Sequence, residues 1–89
     1  MLYVAAELYM PSGEKLRNHV VETEMGRVRN IYRFVGEVHS MVFLSEVYLF
    51  CSLDVKTISS LQKGGSGSCE GKPLYAYRLD DAGRLVILE

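Results

Sequence analysis

Apolar and polar side chains alternate with a period of two over the first ten positions of the chain. One face of the strand that this pattern predicts carries Leu2, Val4, Ala6, Leu8 and Met10. The opposite face carries Tyr3, Ala5, Glu7 and Tyr9. Alternation with aromatic residues is typical of a half-buried β-strand. We expect the strand to end at residues 11–13, where a proline removes a backbone donor and a glycine permits positive φ.

Two later segments have the pattern of β-hairpins. In the first, over residues 19–32, short β-prone runs flank a turn that Gly26 closes. We expect Gly26 to adopt the left-handed conformation in a three-residue loop with a bulge. In the second, residues 74–79 and 84–88 flank a turn over residues 80–83. Each hairpin predicts a pair of antiparallel strands.

Residues 38–51 place apolar side chains on both faces of an extended chain. One face carries Met41, Phe43, Val47 and Leu49, and the other carries Val42, Leu44, Tyr48 and Phe50. The aromatic and β-branched content and the lack of a polar stripe favour a strand that is covered on both sides. The segment is expected to form either one strand or two strands bent at Ser45 and Glu46.

After this segment, Asp54 is a suitable N-cap for one short helix. The residues with the spacing of a core-facing helical stripe are Val55, Ile58 and Leu61. Glycines from position 64 onwards would end the helix, and residues 64–72 would form a flexible loop. The whole pattern predicts one domain over residues 1–89, a small, mainly antiparallel β-sandwich or rolled sheet with one short α-helix.

Composition limits the classes of partner. The chain has 89 residues, with ten basic and eleven acidic side chains and a formal charge of −1. A near-zero charge gives no overall field that would attract nucleic acid or an anionic membrane. The N-terminal residues lack the pattern of a secretory signal, and no apolar run reaches the roughly 20 residues that span a bilayer. We therefore expect a soluble, cytoplasmic protein with a single core.

Catalytic and metal-binding patterns are missing from the sequence. His19 and His39 have neither each other nor Cys51 and Cys69 at the spacing of a zinc site. No serine stands in a nucleophile elbow, and the glycine-rich residues 64–72 do not match a phosphate-binding loop. We expect no enzymatic activity, no metal and no cofactor. Cys51 is expected to be a small buried hydrophobe with a free thiol, and a Cys51–Cys69 disulfide is the less favoured alternative.

The main polar feature is a set of three arginines. Arg27, Arg29 and Arg33 would share one face of an unbroken strand, where they could contact phosphates while an aromatic ring stacks on a base. The favoured interpretation is that Glu22 and Glu24 neutralise them across the hairpin. A bulge near Asn30 would also separate the arginines.

The first third of the chain resembles a known family. The strand Leu2–Tyr9, the Pro-Ser-Gly turn and the hairpin containing Gly26, Arg27, Val28 and Ile31 resemble the start of amidohydrolase-superfamily metal-dependent hydrolases. That resemblance implies the small composite β-sandwich with which these enzymes begin, and the last hairpin would be similar to its returning strands. The family's Pro-Gly-x-x-Asp-x-His-x-His segment has no counterpart in residues 49–54. The resemblance therefore implies the sandwich without the catalytic barrel.

The remaining feature is a surplus of apolar surface for so small a sheet. The residues that we expect at an interaction surface are Tyr3, Tyr9, Phe43, Val47 and Leu49. They predict a non-catalytic interaction or structural module that forms a homodimer or binds a protein partner. The alternative is a small-ligand or nucleic-acid-binding module that uses Arg27, Arg29 and Arg33.

Overall fold

The fold is built from strands. The computed structural model describes residues 1–36, 40–51 and 71–89. The strands are β1 (Leu2–Tyr9), β2 (Lys15–Glu24), β3 (Arg27–Arg33), β4 (Met41–Phe50), β5 (Tyr75–Leu79) and β6 (Leu85–Ile87). The predicted β class is confirmed, and there is no helix within these ranges. The helix predicted after Asp54 and residues 64–70 of the predicted loop lie outside the described residues.

All six strands belong to one mixed sheet, in the order β3-β2-β1-β4-β5-β6. Four of the five neighbouring pairs are antiparallel, but β1 and β4 run parallel from Leu2 opposite Met41 to Tyr9 opposite Tyr48. The sheet is therefore mainly antiparallel, as predicted, with one parallel pair that the sequence did not indicate. Two successive hairpins place β2 and β3 on one side of β1, and β4 then occupies the other edge of β1 in the same direction.

The sheet rolls up until its two sides meet at one end. Arg27 in β3 pairs with Tyr75 in β5, and the Val28 N–H donates to the Leu74 carbonyl oxygen at 2.8 Å. On its other side, β5 pairs with β4 only from Tyr48 to Phe50. Of the two predicted architectures, a rolled sheet therefore describes this arrangement, which is closed where β5 bridges β3 and β4.

The predicted turns are present, with one change in their geometry. Met25 and Gly26 have φ of 54° and 82°, and Glu24 pairs directly with Arg27. This is a two-residue turn of the kind that matches strand twist, and not the three-residue loop expected at Gly26. Three-residue loops occur instead at the turns that end in Gly13 and Gly83. The N–H groups of these glycines donate to the carbonyl oxygens of Met10 and Asp80, at 2.9 and 3.1 Å.

The larger core cluster lies on one side of the sheet, which we call the inner face. Its buried residues are Tyr3, Ala5, Leu8, Val21, Val47, Leu49, Ala76 and Leu88. A second cluster lies on the opposite, outer face and contains Tyr48, Phe50, Tyr77 and Leu85. The chain end helps to hold the core, because the Tyr3 and Thr23 hydroxyls both donate to the Glu89 carbonyl oxygen, at 3.1 and 2.9 Å.

In strands β1, β2 and β4, the alternation of side chains between the two faces is interrupted at one common level. Beyond this level, the positions that would have pointed inward point outward, and we call this an exchange of faces. In β1, the inner residues are Tyr3 and Ala5 before this level and Leu8 after it. In β4 they are Leu44 and then Val47 and Leu49. The strict alternation predicted for the first strand is therefore wrong beyond Ala5. As a consequence, Tyr3 and Tyr9 point to opposite faces of the sheet.

Candidate functional site

The five residues predicted at an interaction surface are distributed over both faces. Tyr3, Val47 and Leu49 are buried in the inner core. Tyr9 is half-buried on the outer face, where its ring stacks on Tyr48 at a centroid distance of 4.7 Å. Phe43 is the member of the set that is exposed, with 59% of its surface accessible. The five residues therefore do not form a single surface, and Phe43 marks where exposed apolar area remains.

Phe43 belongs to an apolar row that crosses four strands on the outer face. The row consists of Tyr32, Val20, Val4 and Phe43, each paired with the next in the strand register. The two central valines are buried, whereas Tyr32 and Phe43 at the ends are 44% and 59% exposed. The row thus presents two aromatic side chains to solvent on either side of a covered centre.

The ring of Phe43 is held by a second aromatic residue. Phe34 and Phe43 meet edge to face, with centroids 5.9 Å apart and planes at 86°. Phe34 follows the end of β3, and its N–H donates to the Asn18 carbonyl oxygen at 2.9 Å. Strands β1 and β2 lie between β3 and β4 in the sheet. The contact therefore connects the segment after β3 with Phe43 in β4 on the outer face.

One side of β4 has no neighbouring strand over most of its length. Strand β1 lies along one side of β4, and β5 reaches the other side only at residues 48–50. In the part of the chain that the structure describes, no strand pairs with that other side over residues 41–47. Residues 41–45, which we call the β4 edge, contain no charged residue and no proline. Among the described residues, the backbone groups along this side therefore have no strand partner.

A cluster of tyrosines and carboxylates lies below the apolar row on the same face. The Tyr48 hydroxyl donates to Glu46 Oε2 at 2.8 Å, and Lys15 Nζ lies 3.0 Å from Glu7 Oε2. Burial raises the pKa of Tyr48, and the hydrogen bond and charge of Glu46 raise it further. Tyr48 therefore stays protonated at neutral pH and acts as a hydrogen-bond donor. The hydrogen bond and the ion pair thus link side chains of β1, β2 and β4 on this face.

The structure separates the three arginines. All three are exposed, and Arg29 Nε lies 3.6 Å from Glu24 Oε2. The register shifts beside Arg29, as the predicted bulge required, because Val28 and Asn30 face consecutive residues of β2. Arg27 precedes Val28, which packs against the inner core, so Arg27 points to the outer face. Arg33 is two residues from Ile31, which also packs against the inner core, so Arg33 points to the inner face. Arg27 and Arg33 consequently lie on opposite faces, so they do not form one stripe.

A polar groove of about 390 Å³ lies beside the β2–β3 bulge. Its lining residues are Met1, Glu22, Thr23, Glu24, Arg29 and Asn30. Asn30 Nδ2 donates to Glu22 Oε1 at 2.9 Å, and the Met1 ammonium donates to the Thr23 carbonyl oxygen at 2.8 Å. These polar groups satisfy one another, and the groove is partly open to solvent.

The histidines and cysteines are placed as follows. His19 Nδ1 lies 2.9 Å from the Arg17 carbonyl oxygen, while His39 and Cys69 lie outside the described residues. Among residues 1–36, 40–51 and 71–89, no three His, Cys, Asp or Glu side chains group together as metal ligands would. Cys51 is disulfide-bonded, which corrects the expectation of a free thiol. Disulfides persist mainly in oxidising compartments, so this bond does not favour the predicted cytoplasmic location.

Comparison with known proteins gives no relative from which a role could be transferred. No family model, no curated protein and no solved structure matches this chain. Over the described part of the chain, no helix has the length and apolar character needed to cross a membrane.

Proposed function

We propose that this domain is a non-catalytic interaction module that associates with itself through the exposed strand surface of β4. The observation that carries the proposal is the exposure of Phe43 on a strand whose side away from β1 has no strand partner over residues 41–47 within the described part of the chain. Large exposed aromatic residues are enriched at protein interfaces relative to the rest of the surface.

The composition of the β4 edge supports the proposal. Natural sheets protect their edges with charged side chains, prolines, bulges or a covering element, because an open edge pairs readily with other chains. Residues 41–45 contain neither a charge nor a proline. An edge of this kind on an isolated chain would be prone to aggregation, so an intended partner is the simplest reason for it.

The remaining polar groups favour structure over chemistry. Glu46 is hydrogen-bonded to Tyr48, and Glu7 is paired with Lys15. The alternative of an anion-binding module loses its main support, because Arg27 and Arg33 lie on opposite faces. The resemblance to the composite subdomain of the amidohydrolase superfamily remains a prediction, and it is compatible with a module that carries no active site.

Sedimentation equilibrium tests self-association directly. We expect the average mass to rise from that of one chain towards that of two as the protein concentration increases through the micromolar range. The measurement should be made without reducing agent, so that the Cys51 disulfide is kept. A mass that stays at that of one chain at all concentrations would contradict the proposal.

A further inference from the structure

We infer that two copies of this chain pair through their β4 edges, antiparallel and about a two-fold axis at Phe43. This inference rests on the proposed function and specifies its geometry. It names the occupant of the edge, a second copy of the chain, and the register in which the two strands meet.

Backbone hydrogen bonding identifies the kind of partner. Over residues 41–47, β4 has β1 on one side and no described strand on the other. The N–H and C=O groups on the unpaired side are best satisfied by another extended chain, as in other cases of strand addition. A two-fold axis brings an edge against itself in the antiparallel direction, and such a contact closes after two copies.

Charge is compatible with the register centred on Phe43 and disfavours one centred on Leu44. In that register, Met41 meets Ser45 of the second copy, Val42 meets its Leu44, and the two Phe43 side chains are neighbours. All paired positions are then uncharged. A register shifted to Leu44 would place Val42 opposite Glu46, whose carboxylate already accepts the Tyr48 hydroxyl. The first register leaves that carboxylate outside the paired segment.

Strand β3, at one end of the sheet order, is poorly suited to self-pairing. Strand β3 carries exposed Arg27, Arg29 and Arg33, so two β3 edges would bring like charges together. Pairing β3 of one copy with β4 of another would be head to tail, and contacts of that type lead to rings or filaments. A β4–β4 contact, by contrast, is both uncharged and closed.

Charge exchange at Phe43 tests the inferred register. F43K and F43E each place two like charges beside the two-fold axis, and we expect each to weaken the dimer at least about tenfold. An equimolar mixture of the two variants should recover dimerisation, because opposite charges then meet. M25K is the matched control, since Met25 is 92% exposed but lies in the β2–β3 turn. It should dimerise as the unchanged protein does.

A second variant separates loss of pairing from loss of folding. Ser45 is exposed, so S45K adds a charge to the β4 edge without removing a packed side chain. We expect S45K to retain the circular dichroism spectrum and urea midpoint of the monomer and to weaken the dimer as well.

The possible results distinguish the inference from the proposed function. If the unchanged protein is monomeric, both fail. If it dimerises and F43K, F43E and S45K dimerise equally well, the β4 pairing is overturned while self-association stands. If the single variants lose the dimer and their mixture does not recover it, the register centred on Phe43 is overturned. Recovery in the mixture supports the inference, because an unfolding effect could not be reversed by mixing.

Discussion

Gly26 and Gly83 both adopt positive φ in hairpin turns, at 82° and 78°, but the space around them differs. A Cβ atom on Gly26 would lie 3.2 Å from Ile87 Cδ1, whereas none of the neighbouring atoms would come within 4 Å of a Cβ atom on Gly83. Gly26 is buried, and its turn packs against β6. The two residues allow the cost of backbone strain to be separated from the cost of crowding.

We therefore predict unequal effects for G83A and G26A. G83A should cost about 1 kcal/mol of unfolding free energy, because only the left-handed backbone opposes a side chain there. G26A should cost more, because Ile87 must also move aside. Urea unfolding midpoints of the two variants measure the difference. Equal midpoints would show that Ile87 yields without cost, and a larger loss for G83A would contradict the packing described here.

Single residues also show where local sequence information ends. Gly26 could be assigned to a turn because its neighbours on both sides are β-prone. The bond at Cys51 could not be assigned in the same way, since an apolar run around a cysteine is equally consistent with a buried thiol. Only the spatial arrangement of the chain decides whether a cysteine has a disulfide partner.

At the scale of elements, the exchange of faces is coordinated across three strands. The level of the exchange passes through Ala6 in β1, Asn18 in β2 and Ser45 in β4, as the two registers align them. Asn18 has φ of 55°, and its carbonyl oxygen accepts the Phe34 N–H. Asparagine tolerates this conformation better than most residues. In β2, the exchange of faces therefore coincides with a left-handed residue in the middle of the strand.

The left-handed conformation of Asn18 leads to a prediction. N18G should leave stability unchanged or raise it slightly, because glycine adopts φ of 55° without strain. N18V should lower the unfolding free energy by about 1–2 kcal/mol, since a β-branched side chain opposes the left-handed region. Thermal or urea unfolding of the pair measures the effect. Equal stability of N18G and N18V would mean that the exchange of faces in β2 does not require the left-handed conformation at this position.

The two hairpins could be predicted because their signals are local, whereas the sheet order could not. Gly26 and Gly83 each follow a short β-prone run and identify a turn within a few residues. That β4 lies parallel to β1, and that β5 reaches only residues 48–50 of β4, depends on contacts between distant parts of the chain. The uncharged residues 41–45 are visible in the sequence, but their position on an open edge is not. Because the strands exchange faces, strict alternation along the sequence could not show that Tyr3, Val47 and Leu49 are all buried in the inner core.

At the scale of the whole molecule, the rolled sheet is closed at one end and open at the other. Strand β5 joins β3 and β4 through Arg27 opposite Tyr75 and Tyr48 opposite Tyr77. Beyond that bridge, no described strand joins β3 to β4, and Phe34, just after β3, contacts Phe43 in β4. Closure of a barrel removes sheet edges, and partial closure leaves the edges at the open end. The β4 edge is the uncharged part of that open end.

Amide hydrogen exchange should detect how that open end is used. Along residues 41–45, successive N–H groups point alternately towards β1 and towards the unpaired side, so only some of them are protected within one chain. We expect the exchange of the others to slow as protein concentration rises, because pairing with a second copy gives them carbonyl partners. The amides of β1 and of the β5–β6 hairpin serve as internal controls, and their exchange should follow global unfolding only. If sedimentation shows a dimer while the β4 amides exchange independently of concentration, the two chains associate through side chains elsewhere and the β4 edge remains open.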